Sequence, residues 1–202
     1  MTGTYNVTVT DGNSCTNVGS IMVTVNAKPT LAMTSNSPIC EGLTLNLDCG
    51  FSGATSYMWA GPSGFTSNIK NPTRPNATPG MTGAYNVTVT NGNSCTNVGS
   101  IMVTVNAKPT LAMTSNSPIC EGLTLNLDCG FSGATNYMWA GPSGFTSNIK
   151  NPTRPNATPG MTGTYNVTVT DGNSCTNVGS IMVTVNAKPT LAMTSNAPIC
   201  EV

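Results

Sequence analysis

Residues 163–185 run Gly163-Thr164-Tyr165-Asn166-Val167-Thr168-Val169-Thr170, then Asp171-Gly172-Asn173-Ser174, then a second run that closes on Ile181-Met182-Val183-Thr184-Val185. Tyr165, Val167 and Val169 alternate with Asn166, Thr168 and Thr170, the period of two that turns one face of a strand toward a core. Ile181, Val183 and Val185 alternate in the same way. Asp-Gly between two such runs is a strong hairpin signal, because those residues accept the left-handed backbone that a tight turn between twisted strands requires. Residues 163–185 are therefore predicted to be a hairpin with one buried face.

The same run begins again at Gly3 and at Gly83, and Trp59 returns as Trp139, so the chain repeats itself at an interval of 80 residues. The copies differ only at Thr4/Ala84/Thr164, Asp11/Asn91/Asp171, Ser37/Ser117/Ala197, Ser56/Asn136 and Gly42/Gly122/Val202. A period of this size is the signature of tandem domains. Residues 1–27 read as the last two strands of one unit, 28–107 and 108–187 as two complete units, and 188–202 as the start of another. Met1 shares its register with Met81 and Met161, so the true N-terminus is expected elsewhere.

Working back from the hairpin, Leu111 and Met113 follow Pro109 as a first strand opened by a stiff linker. Leu123, Leu125, Leu127 and Cys129 alternate with Thr124, Asn126 and Asp128 and predict a second strand with one buried face. Tyr137 and Trp139 share the next inward face, with Met58 and Met138 on the opposite one, open to an interface. Ala140 to Gly144 is a turn by its glycine and proline content, Phe145 to Ile149 a short strand, and Asn151 to Gly160 a loop or edge. About seven short strands per unit with no helical periodicity is the pattern of a β-sandwich.

Composition excludes several functions. Lys and Arg number 7 against 7 Asp and Glu, with no histidine. A nucleic-acid partner needs grouped basic residues, which are lacking. No apolar stretch of the length that spans a bilayer is present, so no membrane insertion is expected. A full unit carries Glu121 and Asp128, with Asp171 added in one hairpin turn, and no imidazole or nucleophile motif beside them, so no catalytic residue and no cofactor is assigned. Asp11 and Asp171 invite a calcium site, but Asn91 holds the same position without charge, so turn formation is the better reading and no metal site is assigned. The eight cysteines, with no Cys-X-X-Cys pair, fit disulfides in an oxidising compartment.

The order Cys120-Glu121-Gly122, then Leu123-Thr124-Leu125, then Tyr137-Met138-Trp139-Ala140-Gly141-Pro142-Ser143-Gly144-Phe145, then Gly163-Thr164-Tyr165 and a late Cys175 resembles the Ig-like or PKD-like tandem repeats of Bacteroidota cell-surface adhesins, whose members include gliding adhesins secreted by the type IX pathway. The resemblance covers the full chain, although the Trp-Asp-Phe-Gly-Asp-Gly type of signature of PKD domains is missing, which favours the Ig-like label. It implies an all-β chain of tandem Ig-like sandwiches of about 80 residues, extracellular and at the cell surface. The role it implies is a non-catalytic stalk or surface fibre whose partners are neighbouring repeats of the same protein, in a homopolymeric or fibre assembly. A carbohydrate-binding array that gains avidity for surface glycans is the alternative, with Tyr57, Trp59, Tyr137 and Trp139 as its stacking residues; their alternation beside the core strand favours packing instead.

An Ig topology places Tyr165 at the tyrosine corner, and Val167 where the second inter-sheet cysteine usually stands. It also brings Cys129 and Cys175 near the same end of the sandwich. Two schemes follow. In one, Cys49 joins Cys95 and Cys129 joins Cys175 within units, leaving Cys15, Cys40, Cys120 and Cys200 for a junction or another chain. In the other, Cys40 or its equivalents pair with the late cysteine, as two-cysteine members of the family do. Asn6, Asn76, Asn86, Asn156 and Asn166 stand in Asn-X-Thr and are candidate glycan acceptors, while the same residues also suit turns and strand surfaces.

Overall fold

The computed structural model describes residues 1–194 and is all-β. The chain divides into two compact units, Met1–Val105 and a second that begins at Asn106. The first opens with a hairpin, β1 (Gly3–Thr10) and β2 (Thr16–Val23). It continues with β3 (Thr34–Ser35), β4 (Ile39–Cys40), β5 (Leu45–Asp48), β6 (Ala54–Gly61), β7 (Phe65–Ser67), β8 (Thr73–Arg74), β9 (Gly83–Asn91), β10 (Thr96–Val103) and β11 (Val105–Asn106). The second repeats this order as β12 (Thr114–Ser115), β13 (Ile119–Cys120), β14 (Leu125–Asp128), β15 (Ala134–Gly141), β16 (Phe145–Ser147), β17 (Thr153–Arg154), β18 (Gly163–Asp171), β19 (Thr176–Val183) and β20 (Val185–Asn186).

Each unit has a four-stranded sheet, β10-β9-β6-β7 or β19-β18-β15-β16, and a three-stranded sheet, β3-β5-β8 or β12-β14-β17. This is an Ig-like sandwich with its opening strand divided in two. Between the sheets of the second unit lie Leu125, Leu127, Cys129, Trp139, Tyr165, Val167, Val169 and Val183. They are the inward members of the alternating runs, and Leu45 to Val103 repeat the set in the first unit. The hairpin β18–β19 forms as read, Tyr165 opposite Ile181 and Thr170 opposite Thr176.

The strand expected from Leu123 starts later. Leu123 is 54% exposed, because its N–H closes a turn onto the Cys120 carbonyl at 3.2 Å and its own carbonyl accepts the N–H of Ala157 at 2.8 Å. Alternation thus ran one residue pair past the true strand end, into backbone already committed to the Cys-Glu-Gly turn. The Asn151 to Gly160 segment contributes β17, paired with β14 through Leu125 and Arg154.

Tyr165 makes the tyrosine corner: its hydroxyl donates to the Met161 carbonyl at 3.0 Å. An arginine that sequence reading passed over completes the corner. Arg154 Nη1 donates to the Tyr165 hydroxyl at 2.6 Å and to the Pro142 carbonyl at 3.0 Å, and its guanidinium lies 4.9 Å from the centroid of Phe145. The tyrosine ring also crosses Gly141 so closely that an added Cβ would stand 2.5 Å from Cδ1, which is why glycine ends β15. Arg154→Ala removes two charge-assisted donors and a ring contact at a half-buried site. It is expected to cost the second unit about 2 kcal/mol. Calorimetry checks this, since the first unit retains Arg74 in the same role and only one of two unfolding transitions should move.

Candidate functional site

The segment Asn-Ala-Lys-Pro leads from one repeat to the next at residues 26–29, 106–109 and 186–189. In the first unit the entering segment is held by side chains of the hairpin β9–β10. Asn91 Nδ2 donates to the Ala27 carbonyl at 2.9 Å and Asn97 Nδ2 to the Pro29 carbonyl at 2.8 Å. Cys95 Sγ stands 3.8 Å from the Asn26 carbonyl. The second unit repeats the proline contact, Asn177 Nδ2 donating to the Pro109 carbonyl at 2.8 Å.

The departing segment is held differently. β13 and β20 run parallel, with Ile119 beside Val185 and Cys120 beside Asn186. Glu121 N–H donates to the Asn186 carbonyl at 2.8 Å, and Lys188 N–H donates to Glu121 Oε2 at 3.3 Å. Glu121, which composition left without a role, therefore holds the linker backbone. Its neighbour Gly122 adopts φ of +87°, a conformation open to glycine, in the turn that brings the carboxylate round.

The late cysteines sit in the hairpin turn at the other end of the unit. Asp171 Oδ1 accepts the N–H groups of Asn173 and Cys175, each at 2.9 Å. Asn91 Oδ1 accepts those of Asn93 and Cys95 at 3.1 and 3.0 Å. Asp and Asn thus build the same turn through the same oxygen, which accounts for their exchange between copies. Asn differs in one respect, since its amide nitrogen also reaches the linker carbonyl of Ala27.

The within-unit bridges Cys49–Cys95 and Cys129–Cys175 expected from the sequence are not formed. Cys49, Cys95 and Cys129 are free thiols. Cys49 and Cys129 are buried in the core with Sγ directed at the carbonyls of Phe51 and Phe131, 3.5 and 3.4 Å away. Cys95 Sγ lies 3.8 Å from the carbonyl of Asn26 and 3.8 Å from that of Asn93 in its own turn. Lying near one end of the sandwich is not enough for a bridge, which also needs the two Cα atoms and side-chain vectors in register. Cys40 and Cys175 are disulfide-bonded, and Cys15 and Cys120 are exposed free thiols. Cys200 lies outside the described residues.

Trp59 and Trp139 are fully buried, and each Nε1 donates to a carbonyl, of Ile69 or Ile149, at 3.0 Å. They offer no stacking face to a sugar. Met58 and Met138 lie on the outer face of the four-stranded sheets at 70% and 61% exposure. The acceptor asparagines Asn6, Asn76, Asn86, Asn156 and Asn166 are all exposed. A hollow of about 420 Å3 over the three-stranded sheet is lined by Thr34, Asn36, Asn46, Asn71 and Thr73 among others, with no aromatic among them.

No protein-family model matches the sequence, and no curated protein matches it. Among solved structures the chain is similar to murine CEACAM1b, at 11% identity over 78% of this chain and 100% of that one, with a TM-score of 0.38. It is also similar to an amphioxus IgVJ-C2 molecule, at 17% identity over 71% and 97% with a TM-score of 0.35. The three N-terminal domains of the bacteriophage RB49 highly immunogenic outer capsid protein align at 18% identity, over 78% of this chain and 59% of that one, with a TM-score of 0.38. These likenesses concern the sandwich and bring no ligand, partner or activity with them.

Proposed function

We propose that this chain is a stretch of the structural repeat region of an extracellular bacterial adhesin stalk or surface fibre. Its output is reach, and no chemistry is assigned to it. The observation that carries this reading is the repeated linker: Asn97 and Asn177 each hold a proline carbonyl of the segment that enters their unit, and Glu121 holds the backbone of the segment that leaves its own. Disulfide-bonded cysteines suit an oxidising, extracellular setting. The resemblance in the Cys-Glu-Gly, Tyr-Met-Trp and Gly-Thr-Tyr motifs supports the surface of a Bacteroidota cell. The low charge, 7% of residues, weakens repulsion between parallel chains, and the exposed Met58 and Met138 give such chains an apolar contact, so lateral assembly of neighbouring repeats follows naturally.

Electron microscopy of the native material tests the reading. Rods or fibres with an axial repeat near the length of one sandwich, about 40 Å for strands of eight or nine residues plus loops, are expected. Dispersed particles with no axial repeat, together with saturable sugar binding by the chain, would replace the stalk by a carbohydrate-binding array.

A further inference from the structure

We propose that Asn91 is a site of self-processing: the backbone nitrogen of Gly92 attacks its side-chain amide, ammonia is lost, and the acid left behind releases the segment that enters the first unit. The inference goes beyond the stalk reading and rests on one turn of that unit.

The turn holds the parts such a reaction needs. The nucleophile is the nitrogen of the residue after the asparagine, and a side chain on that residue hinders its approach. Asn91 is the one asparagine of the sequence that glycine follows; every other precedes a residue with a Cβ. Gly92 is exposed, and a Cβ added there would meet nothing within 4 Å, so water and base reach its N–H. The turn is tied by the N–H groups that come after it. Ser94 N–H donates to the Asn91 carbonyl at 3.0 Å, and the N–H groups of Asn93 and Cys95 donate to Asn91 Oδ1 at 3.1 and 3.0 Å. The Gly92 N–H takes part in none of these bonds. Oδ1 is the atom that gathers negative charge when the amide carbon becomes tetrahedral, so the two N–H groups on it serve as an oxyanion hole.

Water is the only co-reactant. The Gly92 nitrogen, its proton taken by hydroxide, bonds to Asn91 Cγ; the Cγ–Nδ2 bond breaks, Nδ2 leaves as ammonia with a proton from water, and a succinimide ring closes. Water then opens the ring at either carbonyl to give aspartate or isoaspartate. Nothing is oxidised or reduced, and one amide and one water become one carboxylate and one ammonium.

The consequence falls on the linker. Asn91 Nδ2 donates to the Ala27 carbonyl at 2.9 Å, and neither product has a proton to offer there, so two acceptors are left facing each other. The second unit carries the acid in its sequence. Asp171 keeps its turn through the N–H groups of Asn173 and Cys175, each at 2.9 Å, while Asn177 holds the entering proline carbonyl. Opening to aspartate therefore leaves the first unit its turn and the Asn97 anchor on Pro29, and removes the anchor on Ala27.

The full chain, aged in mildly alkaline buffer and digested with trypsin, tests this, because every lysine and arginine except Lys70 and Lys150 precedes proline. Residues 71–150 should gain the mass of an amide turned to an acid, located at Asn91 by fragmentation, while 1–70 and 151–202 keep theirs. G92A, for which the turn has room, should slow the gain at least about tenfold. D171N should bring the reaction to 151–202. Hydrogen exchange over residues 26–31 should quicken in the aged chain and in N91D. An amide that persists at Asn91 while the urea-unfolded chain loses its own, a gain at another residue, or an unchanged rate in G92A would overturn the processing. Unchanged exchange over 26–31 in N91D would overturn the release.

Discussion

Trp139→Ala is expected to lower the stability of the second unit by about 4 kcal/mol, the range for emptying a buried indole site. Trp139 is fully buried and is the largest side chain of that core. Its removal also leaves the Ile149 carbonyl without the Nε1 donor that meets it at 3.0 Å. A domain of this size holds roughly 5–10 kcal/mol in total. The transition of the second unit should fall by roughly 20 °C, while that of the first, built round Trp59, stays in place. Scanning calorimetry with near-ultraviolet circular dichroism separates the two. A shift below about 5 °C would mean that the core closes over the gap and that the indole is not its centre.

The sandwich was legible in the sequence because its strands are half-buried: Tyr165, Val167 and Val169 announce a face by alternation alone, and the structure buries all three. The tyrosine corner was legible for the same reason, since its position follows from the strand. Arg154 carried no such signal. It stands in a proline-rich segment, and its role depends on the Tyr165 hydroxyl, the Pro142 carbonyl and the Phe145 ring meeting from three separate places in the chain. Leu123 misled because alternation does not show where a backbone leaves a strand for a turn. The cysteines were harder still. Spacing and topology gave Cys129 and Cys175 a common end, but the direction of each sulfur is set by packing, and the Cys129 sulfur turns to the Phe131 carbonyl. Glu121 illustrates the general difficulty, as its partner is the backbone N–H of Lys188, and a backbone group leaves no trace in residue identity.

Within a unit, β13 and β20 lie side by side and run parallel, Ile119 beside Val185 and Cys120 beside Asn186. Tension that enters through the departing segment loads the bonds between them in shear, all together, and not one after another as in a zipper.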